Sequence, residues 1–358
     1  MVQFSKKIID WYHLNHRDLP WRNQNDPYKI WLSEIILQQT QVKQGMSYYL
    51  AFVNHYPTVV HLARANPDEV MKLWQGLGYY SRARNLHQTA KTITDQHKGV
   101  FPNTHDLLLK LKGIGSYTAA AIASFAFGEA RAVVDGNVYR VLSRVFGIET
   151  PIDSTEGKKR FQALADGLLD ATRPADFNQA IMEFGAMQCR PKKPACNTCI
   201  FEGECVAFGN NLVSDLPVKT PKPIKKERHL NYLVFEKGKM IYLKKRIEKD
   251  IWSNLFDFYW IEIKKTAQQK EICLHLHADF EWIEGKDYTL CPPQKIYKHT
   301  LTHQTLFIQF WAIDINQNAN TDKLDNQNLI PFSIKDLQQL PIPKPIDNYF
   351  LDRKIYTQ

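Results

Sequence analysis

Four cysteines lie within seventeen residues of this 358-residue chain, with the spacing C-x6-C-x2-C-x5-C. They are Cys189, Cys196, Cys199 and Cys205. So many thiols in one short segment either form two disulfides or surround one metal centre. The first ten residues lack the apolar region of a signal peptide, and chains of this size without such a signal rarely carry structural disulfides. The spacing therefore predicts a metal centre, and the thiols alone leave zinc and an iron–sulfur cluster open.

The net charge of the chain indicates what kind of partner it binds. The net charge is +9 and the pI is about 9.0, which favours an anionic partner, most commonly nucleic acid. No apolar run approaches the length that spans a membrane. We therefore expect a protein without a membrane-spanning segment.

Apolar periodicity predicts two domains joined by a linker. Residues 1–212 have the pattern of an all-α domain, with helices predicted at 31–42, 104–111, 116–127, 136–146 and within 160–187. Residues 213–228 form a basic, proline-rich linker, which proline makes stiff. From 229 to 358 the period changes to two, and strands are predicted at 230–235, 240–244, 251–263, 271–282 and 306–315. The second domain is therefore predicted to be α+β and smaller.

A glycine-containing turn separates two of the predicted helices. It reads Leu111-Lys112-Gly113-Ile114-Gly115, and the second helix follows directly. Glycine adopts conformations closed to other residues, so the N–H groups of Gly113 and Gly115 can face a phosphate together with the helix N-terminus. A simple tight turn between helices is the alternative for this motif alone.

Two carboxylates stand out beside this turn. Asp135, in Val-Asp-Gly-Asn, has the position of a helix N-cap, where a carboxylate stays ionised. If residues 31–42 form one helix, Glu34 shares a face with Trp31, Gln38 and Gln41 beside the apolar stripe. A structural cap and a solvated glutamate are the alternative interpretations.

The cysteine spacing, the glycine turn and the aspartate segment together resemble the DNA glycosylases of the endonuclease III superfamily. The segment from Trp31 to Val42 is similar to one branch of it, the MutY-like adenine DNA glycosylases. The resemblance is strong over residues 17–212 and loose over 229–340. It implies an all-α helix–hairpin–helix domain of two helical lobes, followed by a smaller α+β Nudix-like domain. It also implies that the four cysteines hold a [4Fe-4S] cluster, with Arg190, Lys192 and Lys193 in its loop meeting phosphates.

The resemblance further implies a mechanism. Glu34 protonates N7 of adenine, since a partly buried glutamate keeps its proton near neutrality, and Asp135 stabilises the sugar cation. Tyr117 stands where lyases of the superfamily have the lysine that forms a Schiff base. A tyrosine cannot do so, which implies a monofunctional enzyme of base excision repair. It would remove adenine paired with 8-oxoguanine or guanine and leave an abasic site.

The DNA contacts implied by the resemblance come from both domains. Arg17, Trp21, Arg22 and Glu183 correspond to the adenine pocket, and Gln39 is expected to wedge into the base stack. The full set is Arg17, Trp21, Arg22, Gln39, Thr40, Leu77, Tyr79, Gly113, Gly115, Glu183, Leu301, Thr302 and His303.

Two further features refine these contacts. Arg82 and Arg84, beside Tyr79, are expected to face phosphates. His299-Thr300-Leu301-Thr302-His303 is similar to the family's lesion-reading motif His-x-Phe-Ser-His, with leucine in place of the aromatic residue. No R-E-x-x-E-E cluster occurs, so nucleotide hydrolysis is not expected.

The expected partner is double-stranded DNA with A:8-oxoguanine or A:G pairs. We expect a monomer in a prokaryotic cytoplasm, associated with the nucleoid through DNA. Two rival interpretations are an endonuclease III-like lyase and a non-catalytic damage-binding protein. Tyr117 and Glu34 argue against the lyase, and intact Glu34 and Asp135 argue against the binding protein.

Overall fold

The computed structural model describes residues 2–22, 24–221 and 224–357. They form two compact units: residues 2–64 with 85–221, and residues 65–84 with 224–357. The segment 65–84, which falls in the predicted helical domain, thus groups with the second unit. None of the helices in the described part is both long and apolar enough to cross a membrane.

The described residues form helices that we number in chain order. They are α1 (Val2–Asn15), α2 (Pro27–Leu37), α3 (Val42–His55), α4 (Val59–Arg64), α5 (Pro67–Leu73), α6 (Ser81–His97), α7 (His105–Leu108), α8 (Ser116–Phe127), α9 (Gly136–Phe146), α10 (Thr155–Leu168), α11 (Pro174–Met187), α12 (Val206–Gly209), α13 (Gln269–Phe280), α14 (Asp322–Asn326), α15 (Ile334–Gln339) and α16 (Lys344–Asp352). All but α5 and α13–α16 lie wholly or mainly in the first unit.

One hydrophobic core of the first unit lies among α1, α9, α10 and α11. Ile8, Val138, Phe161 and Ile181 are each fully buried there. Side chains that recur every three or four residues on these helices meet in one cluster, as an amphipathic pattern requires. This core supports the start of α9, where Asp135 lies.

Two predicted helices of this unit are shorter than expected. α2 begins at Pro27, where Asp26 accepts from the N–H of Tyr28 at 3.0 Å, and it ends at Leu37 instead of residue 42. α7 spans only four residues, and its N-cap Thr104 makes no side-chain bond. Glu129 Oε2 accepts the first N–H of α7 instead, at 2.7 Å.

α8 and α9 match the prediction more closely. α8 ends at Gly128 in the left-handed conformation, as a C-terminal glycine predicts. The inward stripe on α9 holds from Val138 to Val145, but Phe146 is 39% exposed. Phe146 is the last residue before Gly147, so it lies at the rim of the core and touches Phe4 with ring centroids 5.5 Å apart.

The second unit is built on a mixed sheet. Its strands within the described residues are β1 (Lys226–Lys237), β2 (Met240–Lys245), β3 (Phe256–Asp257), β4 (Tyr259–Glu262), β5 (Tyr288–Cys291), β6 (Tyr297–Thr300), β7 (Gln304–Ile315) and β8 (Ile330–Ser333). The order is β3-β2-β1-β7-β5, with β4 also paired to β1, β6 to β7 and β8 to β2. β1 and β7 run parallel, from Lys226↔Gln304 to Glu236↔Asp314. The predicted hairpin β1–β2 and the predicted strand at 306–315 are confirmed.

The prediction of a strand at 271–282 is wrong, because these residues lie in α13. Ile272, Leu274 and Leu276 alternate with polar residues, which suggested a period of two. In the helix Ile272, Leu276 and Phe280 are buried four residues apart, while Leu274 is 62% exposed. A capping box of Gln268 and Glu271 starts the helix.

Candidate active site

A pocket of about 460 Å³ opens in the first unit between α2, α8, α11 and the start of α9. Its lining includes the following sequence-predicted residues: Arg17, Trp21, Arg22, Glu34, Gln39, Thr40, Tyr117, Asp135 and Glu183. The fold thus brings together residues that are up to 166 positions apart in the chain. A volume of this size accommodates a nucleobase-sized ligand.

Glu34 and Tyr117 form a hydrogen-bonded pair in this pocket. Tyr117, near the start of α8, donates its hydroxyl to Glu34 Oε2 at 2.8 Å. Burial raises the pKa of Glu34 to about 7, with a further rise from Asp135, while the bond from Tyr117 and the charge of Arg22 lower it. Glu34 can therefore hold and release a proton near neutral pH.

Asp135 caps α9, as predicted. Its Oδ1 accepts from the N–H groups of Asn137 and Val138, each at 2.8 Å, and its Oδ2 accepts from Asn137 Nδ2 at 2.8 Å. Burial raises the pKa of Asp135, whereas these three bonds stabilise its ionised form and act against the rise. Two carboxyl groups of different environment therefore face one pocket.

Glu183 closes another side of the pocket through two arginines. It is 1% exposed and accepts from Arg17 Nε at 2.7 Å, Arg17 Nη2 at 2.7 Å and Arg22 Nη2 at 2.6 Å. Burial alone would raise the pKa of Glu183, but the hydrogen bonds from Arg17 and Arg22 lower it to about 2. Glu183 therefore stays ionised and fixes the two arginines at the pocket wall.

The end of α2 differs from the prediction. Trp31 is buried against Phe101 and does not share a pocket face with Glu34. The turn after Leu37 places Gln39 in the left-handed region, with φ of 53°, and its side chain is exposed at the pocket. An exposed side chain on a tight turn suits the wedge role that the resemblance implies for Gln39.

The predicted helix–hairpin–helix consists of α7, a turn and α8. Gly113 has φ of 77°, and a Cβ there would stand 2.7 Å from the Cβ of Asn85. Gly115 has extended backbone and caps α8, and nothing lies within 4 Å of a Cβ placed on it. Only Gly113 thus requires glycine for its conformation, while Gly115 leaves an open surface at the helix N-terminus.

The site also uses residues to which sequence reasoning gave no role. Asn178, fully buried on α11, accepts from the N–H of Val133 at 3.0 Å and donates to the Arg131 carbonyl at 2.7 Å. These bonds hold the extended segment that leads to Asp135. Met182 Sδ accepts from Tyr117 at 3.3 Å. Neither residue carries a local sequence signal for these contacts, since Asn178 lies between Phe177 and the polar Gln179.

The four predicted metal ligands line a separate small cavity of the first unit. Phe201 donates its N–H to Cys199 Sγ at 3.4 Å, and Arg144 Nη1 lies 3.5 Å from Cys189 Sγ. Within the described residues no group of three or more His, Cys, Asp or Glu is arranged to hold a metal ion. Arg190, Lys192 and Lys193 are exposed at the loop surface, and Arg144 is the cation that reaches the sulfur.

A second cavity, of about 970 Å³, lies within the second unit. One wall is the end of the hairpin formed by β6 and β7, which we call the β6–β7 turn (residues 299–304). It comprises the last two residues of β6, the three connecting residues and the first residue of β7. Thr302 shares a hydrogen bond of 2.6 Å with the hydroxyl of Tyr79, and Lys225 Nζ donates to the Leu301 carbonyl at 2.8 Å. Thr302 and His303 are exposed, and burial lowers the pKa of His299. The turn therefore presents hydroxyl and imidazole groups to the cavity.

The predicted phosphate-facing role of Arg82 and Arg84 disagrees with the structure. Arg82 is 9% exposed, with its guanidinium 5.0 Å from the ring of Trp74. Arg84 donates to the Ser253 carbonyl at 2.7 Å. Leu77 is buried as well, whereas Tyr79 is 48% exposed and projects outward. The Trp74 ring and the Ser253 carbonyl, both inside the unit, contact these two guanidinium groups in place of solvent.

Comparison with known proteins decides the family. The chain is 34% identical over 349 residues to the adenine DNA glycosylase of Buchnera aphidicola subsp. Baizongia pistaciae, covering 96% of this chain and 94% of that protein. It is 45% identical over 216 residues to the human adenine DNA glycosylase, covering 58% of this chain and 40% of the human protein. The chain belongs to the adenine DNA glycosylase family. The resemblance seen in the sequence is thereby confirmed.

Family models agree with the two-part architecture. Residues 32–166 match the HhH-GPD superfamily of base excision DNA repair proteins, and residues 231–351 match the NUDIX domain. The predicted fold class, a helical helix–hairpin–helix domain followed by an α+β Nudix-like domain, is confirmed. The chain is thus a DNA glycosylase of base excision repair, a hydrolase acting on N-glycosyl bonds.

Solved structures support the fold of the helical part. A thermostable thymine-DNA glycosylase matches with a TM-score of 0.54 and 31% identity, over 58% of this chain and 96% of that one. A non-covalent endonuclease III–DNA complex matches with a TM-score of 0.51 and 19% identity, over 59% of this chain and 95% of that one.

Proposed function

We propose that this protein hydrolyses the N-glycosidic bond of adenine paired with 8-oxoguanine or guanine in double-stranded DNA, and that it is monofunctional. The observation that carries the proposal is the Tyr117–Glu34 hydrogen bond in the same pocket as Asp135, the N-cap of α9. It combines a proton donor poised near neutrality with a carboxyl group whose ionised form is stabilised by N–H groups. The relatives that share nearly the full length support adenine as the base.

The proposed reaction proceeds with the base flipped into the pocket. Glu34 gives its proton to adenine N7, and the C1′–N9 bond breaks with its electron pair leaving on the base. Asp135 stabilises the cation that forms at C1′. Water then adds to C1′ and passes a proton to the Glu34 carboxylate, which restores the acid. The product is free adenine and an abasic site.

The proposal of a monofunctional enzyme depends on what the pocket offers as nucleophile. A lyase needs an amine at C1′ to form a Schiff base. Tyr117 occupies the implied position, and among the described residues that line the pocket there is no lysine. The cations in this lining are the guanidinium groups of Arg17 and Arg22, which Glu183 engages. A water nucleophile is therefore favoured over an amine.

We further propose that the β6–β7 turn and Tyr79 read the base opposite adenine. The exposed Thr302 hydroxyl, its bond to Tyr79 and the half-buried Leu301 support this assignment. The difference between 8-oxoguanine and guanine is one N7–H donor and one C8 carbonyl. A hydroxyl that both donates and accepts suits that difference.

A [4Fe-4S] cluster is the proposed occupant of the cysteine cavity. Thiols from all four cysteines line it, and N–H donors approach two of the sulfurs, which suits thiolate ligands. The four cysteines would hold the cluster, which would cross-link their loop without redox work in base removal, and the exposed Arg190, Lys192 and Lys193 would then meet phosphates.

The test is a single-turnover assay on a duplex that carries adenine opposite 8-oxoguanine, read with and without alkali. Strand cleavage only after alkali, with free adenine released, is the expected result. Cleavage without alkali, together with covalent trapping by borohydride, would instead establish a lyase. Tight binding with the base left attached would establish a damage-binding protein. Iron and sulfide analysis of the purified protein distinguishes the cluster from zinc.

A further inference from the structure

A buried arginine lies behind the cavity of the second unit. Arg246 follows β2, is 3% exposed and forms ion pairs with Asp257 of β3, itself fully buried, and with Asp250. Its guanidinium contacts two indole rings, 5.5 Å from the centroid of Trp252 and 5.0 Å from that of Trp260. No step of the proposed mechanism uses this group.

Arg246 sits at the base of a closed loop, which we call the Trp252 loop (residues 246–255). The loop is closed by backbone bonds from Arg246 N to the Leu255 carbonyl at 2.9 Å and from Asn254 N to the Arg246 carbonyl at 2.7 Å. Asp250 Oδ1 accepts from the N–H of Trp252 at 2.8 Å. The Arg246 side chain thus contacts two members of its own loop, Asp250 and Trp252, and joins them to β3 through Asp257.

The Trp252 loop forms the wall of the cavity that faces the β6–β7 turn. Lys249, Asp250, Ile251 and Trp252 all line the cavity. The Trp252 ring packs against His299, with ring centroids 6.0 Å apart, and is itself 4% exposed. Displacing Trp252 would therefore leave His299, the first residue of the turn, without its packing partner.

The energetics of buried ion pairs favour a positional role. Taking two charges out of water costs about as much as their attraction returns, so such a pair is a poor source of net stability. Its bonds have defined directions, however, and an apolar contact between the same elements would have none. The pair and the two flanking indoles therefore determine where the loop lies more than whether the domain folds.

We propose that Arg246 is a positioning residue for recognition of the base opposite adenine. Through Asp250 and Trp252 it holds the Trp252 loop against His299, and this contact sets the preference for 8-oxoguanine over guanine at the β6–β7 turn. The inference rests on the proposed function of that turn.

The experiment compares Arg246→Met with the wild-type full-length protein. The enzyme concentration that gives the half-maximal single-turnover rate is measured on A:8-oxoguanine and on A:G duplexes. The preference for 8-oxoguanine is expected to fall roughly three- to tenfold, the size of one hydrogen bond to the lesion. Arg246→Lys, which keeps the charge, should restore part of it. Arg353→Met is the control, because Arg353 pairs with Glu236 in the same unit and does not line the cavity.

Each outcome of this comparison supports or overturns the positioning role of Arg246. An unchanged preference in Arg246→Met, or an equal loss on both duplexes, would overturn the positioning role. If Arg246→Met does not fold, Arg246→Met with Asp257→Leu replaces the pair by apolar side chains and is expected to show the same loss of preference. Retained preference in that double variant would overturn the inference. Equal rates of the wild type on both duplexes would refute the proposed reading of the opposite base by the β6–β7 turn, and the inference with it.

Discussion

The Tyr117–Glu34 hydrogen bond predicts how the pH dependence of adenine release responds to one substitution. The bond is 2.8 Å long, and it lowers the pKa of Glu34 because it stabilises the carboxylate. Tyr117→Phe removes it. A hydrogen bond to a charged group contributes about 1.5–3 kcal/mol, and one pKa unit corresponds to about 1.4 kcal/mol. The pKa of Glu34, about 7 in the wild type, should therefore rise by about one to two units.

The assay is the single-turnover rate of adenine release at pH 6 and at pH 8. The protonated form of Glu34 is the active one, so the wild-type rate should fall about tenfold between these values, as expected for a group of pKa about 7. In Tyr117→Phe the fall should be about twofold or less, because Glu34 stays protonated to higher pH.

Tyr28→Phe is a matched control for this experiment. Tyr28 donates its hydroxyl to the Tyr56 carbonyl at 2.6 Å, outside the pocket lining. Its loss should lower the free energy of unfolding by about 1 kcal/mol and leave the tenfold fall unchanged. A Tyr117→Phe enzyme that keeps the tenfold fall, or shifts its profile to lower pH, would refute this account of the pair.

Three further predictions concern stability and DNA binding. Glu34→Gln should abolish base release and keep DNA binding. It should also raise the free energy of unfolding at pH 8 by about 3 kcal/mol. Burial raises the pKa of Glu34 from 4.5 to about 7, so its ionisation destabilises the fold as the pH rises through this range, and the gain should vanish at pH 4 in denaturant titrations. Glu183→Gln should cost about 2–4 kcal/mol at pH 7, since it leaves two arginines without their carboxylate. That difference should shrink as pH falls from 4.5 towards 2, where wild-type Glu183 is itself protonated. Gly113→Ala should lower the melting temperature, because Gly113 has a φ of 77° and the Asn85 side chain lies close to it. Gly115→Ala should leave the melting temperature unchanged and weaken the affinity for duplex DNA in a gel-shift titration.

Much of the active site could be predicted because its residues act through local sequence context. Asp135 could be placed as a helix cap from the order Asp-Gly-Asn, and the structure shows its carboxylate accepting the N–H groups of α9. Gly128 could be placed at the end of α8 for the same reason. Such features depend on residues that are neighbours in sequence, so their physical chemistry is visible in the sequence itself.

Contacts that depend on distant parts of the chain could not be predicted. Arg82 and Arg84 look like phosphate ligands in sequence, yet Trp74 and the Ser253 carbonyl bind them. The partner of Arg84 is 169 positions away. The sequence of α13 predicts a strand because its alternating apolar residues fit both the period of a strand and that of a helix over a short window. The exposure of Leu274 in the structure distinguishes the helix from the strand. The Arg246–Asp257 pair likewise has no local signature.

The central claim is that Glu34 donates a proton to N7 of adenine. The most direct measurement replaces adenine by 7-deazaadenine, which has a carbon at that position, in a duplex opposite 8-oxoguanine. The account predicts that this duplex binds as tightly as the adenine duplex but releases its base about 10²–10⁴-fold more slowly, the usual contribution of a general acid. Base release within tenfold of the rate for adenine would contradict it.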